Sequence, residues 1–382
     1  MTQDATSVGQ RSSGGSPRLW MLARNVPRLA DVWLSRRLRC RPRHLPILLI
    51  FVTDKCNLQC RMCGVWEHAE SDLADELSTE EWKTVIRSAA KLRTMLLSIT
   101  GGEALLRPDV FELIKYARLH GISVHLCSNG TVLNETTVDA LRASDVDTVS
   151  ISVESTVAEV HDRLRGAGTF DRAVRGIRLL RELAPGIKVG INYLITAENF
   201  RNTAEMIPFA ERLGVHQIKF APIHTNLQHK GKRLQEFADL IFTEEDLDEL
   251  EAEMQKLIEA ASKSKLQTTS KMFLRGVVDL YRHPRKGFRC YAGYAACAIN
   301  PHGMVAPCCD MEGVVSVRDR PLEEIWRSAD FQQLRLGVHT CDRPCWDTTN
   351  TELSLRLGVR SMLGEIGQTW RDLKFYFGSG QR

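Results

Sequence analysis

Between residues 45 and 220, short apolar runs alternate with stretches whose apolar positions return every third or fourth residue. Runs at 45–52, 95–99, 122–126, 146–152, 188–195 and 216–220 read as buried strands. The intervening segments 79–92, 108–121, 136–142, 170–183 and 199–213 read as amphipathic helices. Ser78 and Glu81 have capping-box spacing, Pro108 and Asp109 open the next helix, and Thr169 is placed to cap another. Six strand–helix units in about 175 residues predict a parallel sheet with right-handed crossovers. The unusual residues follow the strands, where barrel enzymes keep their chemistry. A doubly wound nucleotide fold is disfavoured, because no GxGxxG follows the first run. The expected fold class is therefore α/β, a partial (β/α)6 TIM-like barrel.

The flanks read differently. Residues 1–18 are polar and Ser/Gly-rich and are expected to be mobile. Residues 19–44 interleave arginines with Leu22, Val26, Leu29 and Trp33 at helical spacing, and Pro27 is placed to open a short helix. The preferred reading lays this helix across the bottom of the barrel with its arginines in water. Peripheral contact with an anionic membrane surface is the alternative. A loop at 224–242 leads to helices at 243–263 and 271–281; a further helix is expected at 322–336 and a docked amphipathic tail at 353–377. The domains read as a basic extension 1–44, a barrel 45–225, a helical connector 226–285, a Cys-rich region 286–350 and a tail 351–382.

Composition is ordinary for a globular chain of 382 residues, with 43% hydrophobic and 26% charged positions. No apolar run approaches the ~18 residues of a membrane-spanning helix, and no apolar signal core opens the chain, so a cytoplasmic location is expected. The net charge of +4 is unevenly spread: residues 1–45 hold nine Arg and two Asp, leaving the rest at −3. The body is thus no nucleic-acid platform, and no nucleic-acid partner is expected.

Eleven cysteines are the outlying number, and nine fall in two groups. In a long chain without a secretion signal, clustered cysteines are more often metal ligands than disulfides. Cys56, Cys60 and Cys63 are spaced CxxxCxxC on a loop after a buried strand. Three thiolates can hold three irons of a cubane cluster and leave the fourth open to an exogenous amino/carboxylate ligand. Structural zinc is the alternative, but it prefers four protein ligands, and only His68 lies nearby, out of pattern.

The segment Cys56-Asn57-Leu58-Gln59-Cys60-Arg61-Met62-Cys63, with Gly101-Gly102-Glu103 after the second strand, resembles the radical S-adenosylmethionine (SAM) superfamily over about residues 46–225. The resemblance implies a 4Fe-4S cluster with SAM on its open iron, one-electron cleavage to methionine and a 5′-deoxyadenosyl radical, and hydrogen abstraction from substrate. Cluster potentials span about −700 to +450 mV, and reducing a sulfonium needs the low end. Residue by residue, Gly101 and Gly102 leave the backbone open and Glu103 would meet the methionine ammonium. Met62 would face adenine through its backbone. Ser128 and Asn129 lie at the third strand end, and Ser152 and Glu154 at the fourth, where relatives commonly place a ribose-binding polar residue. Many relatives have Asp where Glu154 stands. Arg165 resembles the arginine that pairs with the SAM carboxylate, and Asn192 is a further candidate contact.

Cys290, Cys297, Cys308, Cys309, Cys341 and Cys345 make the second group. The stretch Asn300-Pro301-His302-Gly303-Met304-Val305-Ala306-Pro307-Cys308 reads as a hairpin between thiols, and Cys341-Asp342-Arg343-Pro344-Cys345 closes the region. This is similar to the SPASM and twitch extensions of radical SAM enzymes, although their CxxCx5CxxxC run is absent. The likeness implies a small C-terminal Cys-rich domain with one auxiliary 4Fe-4S cluster on Cys290, Cys308, Cys341 and Cys345, zinc being the alternative. Cys297 and Cys309 are spare, Cys127 is a core thiol, and Cys40 has no evident partner.

The expected activity is hydrogen abstraction from a small-molecule biosynthetic intermediate, in a net oxidation that uses the auxiliary cluster and an electron donor such as flavodoxin or ferredoxin. Lys219, His224 and Tyr193 are candidate general bases near the barrel mouth. Modification of a ribosomally made peptide is the nearer rival. It is lowered because a leader-binding domain needs ~80 residues, and only about 45 precede the first strand. A non-catalytic iron–sulfur or zinc redox protein is the rival of another class.

Overall fold

The computed structural model describes residues 17–67, 75–223, 238–358 and Phe375, with only the backbone described for 17–25. The polar lead-in 1–16, His68, the 224–237 part of the expected loop with His224, and the tail beyond 358 apart from Phe375 lie outside the described residues.

A long helix α1 (Pro17–Leu38) precedes the first strand β1 (Ile47–Phe51). The barrel then runs α2 (Thr79–Lys91), β2 (Leu96–Thr100), α3 (Val110–Leu119), β3 (Ser123–Ser128), α4 (Glu135–Ala143), β4 (Thr148–Ser152), α5 (Ala158–Arg165), α6 (Thr169–Leu183), β5 (Lys188–Ile195), α7 (Met206–Arg212) and β6 (Gln217–Pro222). After it come α8 (Leu247–Lys263), β7 (Gln267–Thr268), α9 (Lys271–Arg282), β8 (Ala296–Ile299), β9 (Met304–Ala306), β10 (Val315–Ser316), α10 (Leu322–Arg327), α11 (Ala329–Thr340) and α12 (Asn350–Arg356).

All six expected strands form, and β1 to β6 pair in parallel in chain order. Their alternate residues divide the molecule. Leu48, Ile50, Leu97, Ile99, Val124 and Leu126 point outward into a fully buried layer beneath the helices. The other register faces the lumen and is only partly buried in most strands. The sheet reaches further than the six units. Its order is β10-β9-β8-β1-β2-β3-β4-β5-β6-β7, with β7 parallel to β6 and β8 parallel to β1. The expected hairpin is β8–β9, antiparallel, and its first strand continues the barrel sheet past β1.

Several boundaries differ from expectation for local reasons. Pro27 lies inside α1 rather than at its start. Thr169 is the first residue of α6, not its cap; Gly168, with a left-handed φ of 70°, takes that place. The Asp162 carboxylate accepts from the Gly168 and Phe170 amides there at 2.6 and 2.8 Å. The 199–213 segment splits into a short turn at Phe200–Asn202 and α7. The 243–263 segment opens on a turn at Glu244–Asp246 before α8. Ser328 ends α10 and caps α11 by accepting from the Phe331 amide, which divides the single helix expected at 322–336. Phe375, from the expected tail, places its ring 4.9 Å from Lys188 Nζ at the start of β5. No described helix is long and apolar enough to cross a membrane.

Candidate active site

The first cysteine loop leaves β1 at the carboxyl end of the barrel and is clamped from below. The Gly102 amide donates to the Thr53 carbonyl at 2.7 Å, and the Glu103 amide to the Lys55 carbonyl at 2.8 Å. A Cβ on Gly101 would stand 2.4 Å from the Thr53 oxygen, and one on Gly102 would stand 2.4 Å from the Lys55 oxygen. Two side chains that the sequence did not single out complete the clamp. Glu76 accepts from the Thr53 hydroxyl and the Asp54 amide, both at 2.8 Å. Arg107 donates to the Val52 and Leu77 carbonyls at 2.8 Å. Asn57, inside the motif, donates to Thr131 Oγ1 and accepts from Asn129 Nδ2, each at 2.9 Å, which ties the loop to the end of β3.

Cys56, Cys60 and Cys63 gather with Leu58, Met62, Leu164, Leu194, Ile223 and Leu240 in an apolar pocket. Burial pushes the Cys56 thiol up to about 11, with Cys60, Glu103 and Cys63 adding to the rise against the Leu58 amide. Cys60 Sγ lies 3.9 Å from Arg165 Nη1.

Glu103 is 1% exposed and accepts from Ser128 Oγ (2.9 Å), the Asn129 amide (2.7 Å) and the Leu105 amide (3.1 Å). Burial raises its pKa despite these donors and the Arg165 charge. The structure thus brings Glu103, Ser128 and Asn129 together. It also joins Glu154 to Arg165, a pairing that the sequence did not suggest. Glu154 Oε1 receives Arg165 Nε at 2.7 Å and Nη2 at 2.6 Å, and Oε2 receives the Leu194 amide at 2.6 Å. Burial opposes the Arg165 charge, but Glu154 and the Cys60 thiol hold it above its ordinary value. Helix α5 makes this pair: His161 Nδ1 accepts from the Glu154 amide at 3.0 Å, while Arg165 comes from the last turn. Asn199 Nδ2 donates to the Glu154 carbonyl at 2.9 Å.

Ser152 and Asn192 are register partners facing the lumen below this level. Asn192 Nδ2 donates to Cys127 Sγ at 3.6 Å, so Cys127 belongs to the lumen wall and not to the outer core. His125 Nε2 lies 2.8 Å from Ser150 Oγ, and burial, with Lys219 nearby, pulls the imidazole down to about 4. Lys219, lowered by burial to about 8, lies beside Asn192 in register. Tyr193 is not at the mouth. It points outward, 2% exposed, and its hydroxyl donates to the Asn199 carbonyl at 2.8 Å.

The second cysteine set forms at the opposite end. Cys290 precedes β8 and Cys308 follows β9, so the hairpin places both near the amino end of β1. Cys341 and Cys345 arrive from the end of α11. Burial raises the Cys345 thiol, and Asp347, Cys290, Asp310 and Cys308 raise it further; Cys290 feels Cys341 in the same way. The four thiols therefore share one neighbourhood. Cys297 does not join them: on β8 it faces the outer core, 1% exposed, and burial lifts it to about 12.

None of the eleven cysteines is in a disulfide. Among the described residues no three His, Cys, Asp or Glu side chains converge closely enough to hold one metal ion. The all-sulfur donor sets fit iron–sulfur clusters at both ends, three thiols on the first loop and four at the second.

Comparison with known proteins agrees. A family model of the radical SAM superfamily matches residues 50–210, and one of the SPASM iron–sulfur cluster-binding domain matches residues 290–347. An AdoMet-dependent heme synthase of Methanosarcina barkeri is 30% identical over 297 residues, 74% of this chain and 83% of that one. A PqqA peptide cyclase of Granulibacter bethesdensis is 28% identical over 322 residues, 80% of each chain. The fold is shared with Streptococcus suis SuiB bound to S-adenosylmethionine, at a TM-score of 0.63 and 16% identity over 85% of this chain and 74% of that one.

Proposed function

Since the chain belongs to the radical SAM superfamily, as a member with a SPASM domain that uses 4Fe-4S clusters and SAM, we propose that it oxidises a small-molecule biosynthetic intermediate held in the barrel lumen. The observation that carries this reading is the polar wall of His125, Ser150, Ser152, Asn192 and Lys219, lying between three thiols at the carboxyl ends and four at the amino ends. When bound, the first cluster and SAM would supply one-electron hydrogen abstraction from substrate, and the auxiliary cluster an electron sink, for a net two-electron oxidation.

The chain's own residues have separate tasks. Cys56, Cys60 and Cys63 hold the first cluster, and Cys290, Cys308, Cys341 and Cys345 the second. Glu103, fixed by Ser128 and Asn129, accepts from the SAM ammonium. Met62 and the Gly101–Gly102 backbone border the cofactor. Glu154 and Arg165 act as a pair: Arg165 faces the carboxylate while Glu154 holds its guanidinium in place. Lys219 is the lumen base nearest to neutrality and takes the proton that leaves with the second electron. A flavodoxin- or ferredoxin-type protein supplies the initiating electron.

Anaerobic incubation with SAM and dithionite should give 5′-deoxyadenosine by chromatography, and Cys60→Ala should give none. Candidate intermediates carrying deuterium should pass it into 5′-deoxyadenosine. Zinc in place of iron at the first loop would sink the reading. A peptide substrate is the second reading, supported by the likeness to the peptide cyclase. Deuterium transfer from a labelled peptide, with none from small molecules, would favour it.

A further inference from the structure

Helix α1 presents an apolar stripe to solvent. Val26, Leu34 and Leu38 are 53%, 47% and 69% exposed, and the exposed Ala30 continues the same every-fourth-residue line. These three are half of the six large apolar side chains exposed among the described residues. The opposite face is fully engaged: Val32 is buried against Tyr291, Tyr294 and Leu357. The outward stripe therefore does not serve the core.

Beside the stripe lies a cavity of about 970 Å³ whose wall includes Trp33, Arg36, Arg37, Arg39, Arg289 and His339. Arg37, Arg39 and Arg289 are exposed. Among the described residues, none of Arg36, Arg37, Arg39, Arg41, Arg43 and Arg289 has a carboxylate partner. Asp31, the acidic residue on this stretch, is taken by His44 and by the amides of Arg43 and His44. Arg36 donates instead to the Cys290 carbonyl at 2.8 Å, and Arg37 lies 5.4 Å from the centre of the Trp33 ring. Arg37 belongs to both features, exposed between Leu34 and Leu38 and lining the cavity.

We propose that this face is a docking surface for an anionic lipid bilayer. The exposed guanidinium groups of Arg37, Arg39 and Arg289 would bind lipid phosphates, while Val26, Leu34 and Leu38 would enter the boundary between headgroups and acyl chains. A soluble acidic protein would satisfy the arginines, but it gives no role to an apolar line running three helical turns. An amphipathic helix lying in a membrane interface requires both. The orientation suits the chemistry. Helix α1 packs against Tyr291–Ala295, just before the amino end of β8, so the cysteine loop at the carboxyl ends opens away from the bilayer.

The test is flotation of the anaerobically reconstituted full chain with vesicles of phosphatidylcholine alone or mixed with phosphatidylglycerol. Binding should be at least about tenfold stronger to the mixed vesicles and should weaken as salt rises. Leu34→Glu/Leu38→Glu and Arg37→Glu/Arg39→Glu should each abolish flotation, with iron content and SAM cleavage unchanged to show an intact fold. Failure to float with the anionic vesicles overturns the proposal. So does binding that needs the arginines but tolerates the leucine changes, which is plain electrostatic adsorption. Capture by an immobilised acidic flavodoxin, lost in the arginine variant without any vesicle binding, would assign the face to a protein and overturn it as well.

Discussion

Gly102 has no room for a methyl group. Its Cβ would meet the Lys55 oxygen at 2.4 Å and the Asp54 oxygen at 2.7 Å, both backbone atoms of the first cysteine loop. Gly102→Ala should push that loop off its seat and lose roughly half of the bound iron, with the second cluster retained; iron analysis and electron paramagnetic resonance would show it. The buried histidines give a pH dependence. His161 is drawn down to about 3 by burial and then by Arg165, and His125 to about 4 by burial and then by Lys219. Unfolded histidine titrates near 6.5. Between there and about pH 4, the unfolded chain takes up protons that the folded chain refuses, so stability falls as pH falls. Above pH 6.5 the contribution is complete. The urea midpoint of the holoprotein should drop from pH 7 to about pH 5, and His161→Gln should make that dependence shallower. The CxxxCxxC and Gly-Gly-Glu motifs were legible because each sits on a single loop. The Glu154–Arg165 pair and the Asn57–Asn129–Thr131 bridge were not, because contacts between loops leave no spacing to read.

At the scale of elements, α9 shows how the second set is held. Gly276 gives the Trp346 indole a slot: a Cβ there would stand 2.1 Å from Cζ2, and the ring nitrogen donates to the Phe273 carbonyl at 3.0 Å. Trp346 follows Cys345 directly, so Gly276→Ala should cost about 1–3 kcal/mol and shed auxiliary iron while sparing the first cluster. Calorimetry and metal analysis of the variant would check both. Arg335 fixes the other side of this region. It is fully buried, donates to the Gly293 and Trp326 carbonyls at 2.5 and 2.6 Å, and stacks 4.2 Å from the Trp326 ring. The barrel strands were readable because continuous apolar runs end in turn residues. Helix α5 was not, since only His161 and Leu164 of its eight residues are buried. The two-residue strand β7 carries too little pattern for any periodicity to show. Ser328 was a readable cap that the apolar spacing on both sides of it concealed.

Across the whole molecule, the decisive contact joins distant parts of the chain. Ile47 pairs with Ala296 and Ile50 with Ile299, so the hairpin that carries Cys290 and Cys308 also covers the free edge of β1. No local signal announces a pairing at that separation. A chain ending at residue 285 should expose β1 as an unpaired edge and self-associate; a monodisperse, iron-loaded truncation on size exclusion would contradict this. The same pairing imposes a timetable on synthesis. Strand β1 emerges about 250 residues ahead of β8, its partner on that edge, which at ribosomal speeds is a wait of roughly 12–50 s. During that wait one edge of β1 stays open to mispairing, so slower translation should prolong the hazard and an added holdase should relieve it.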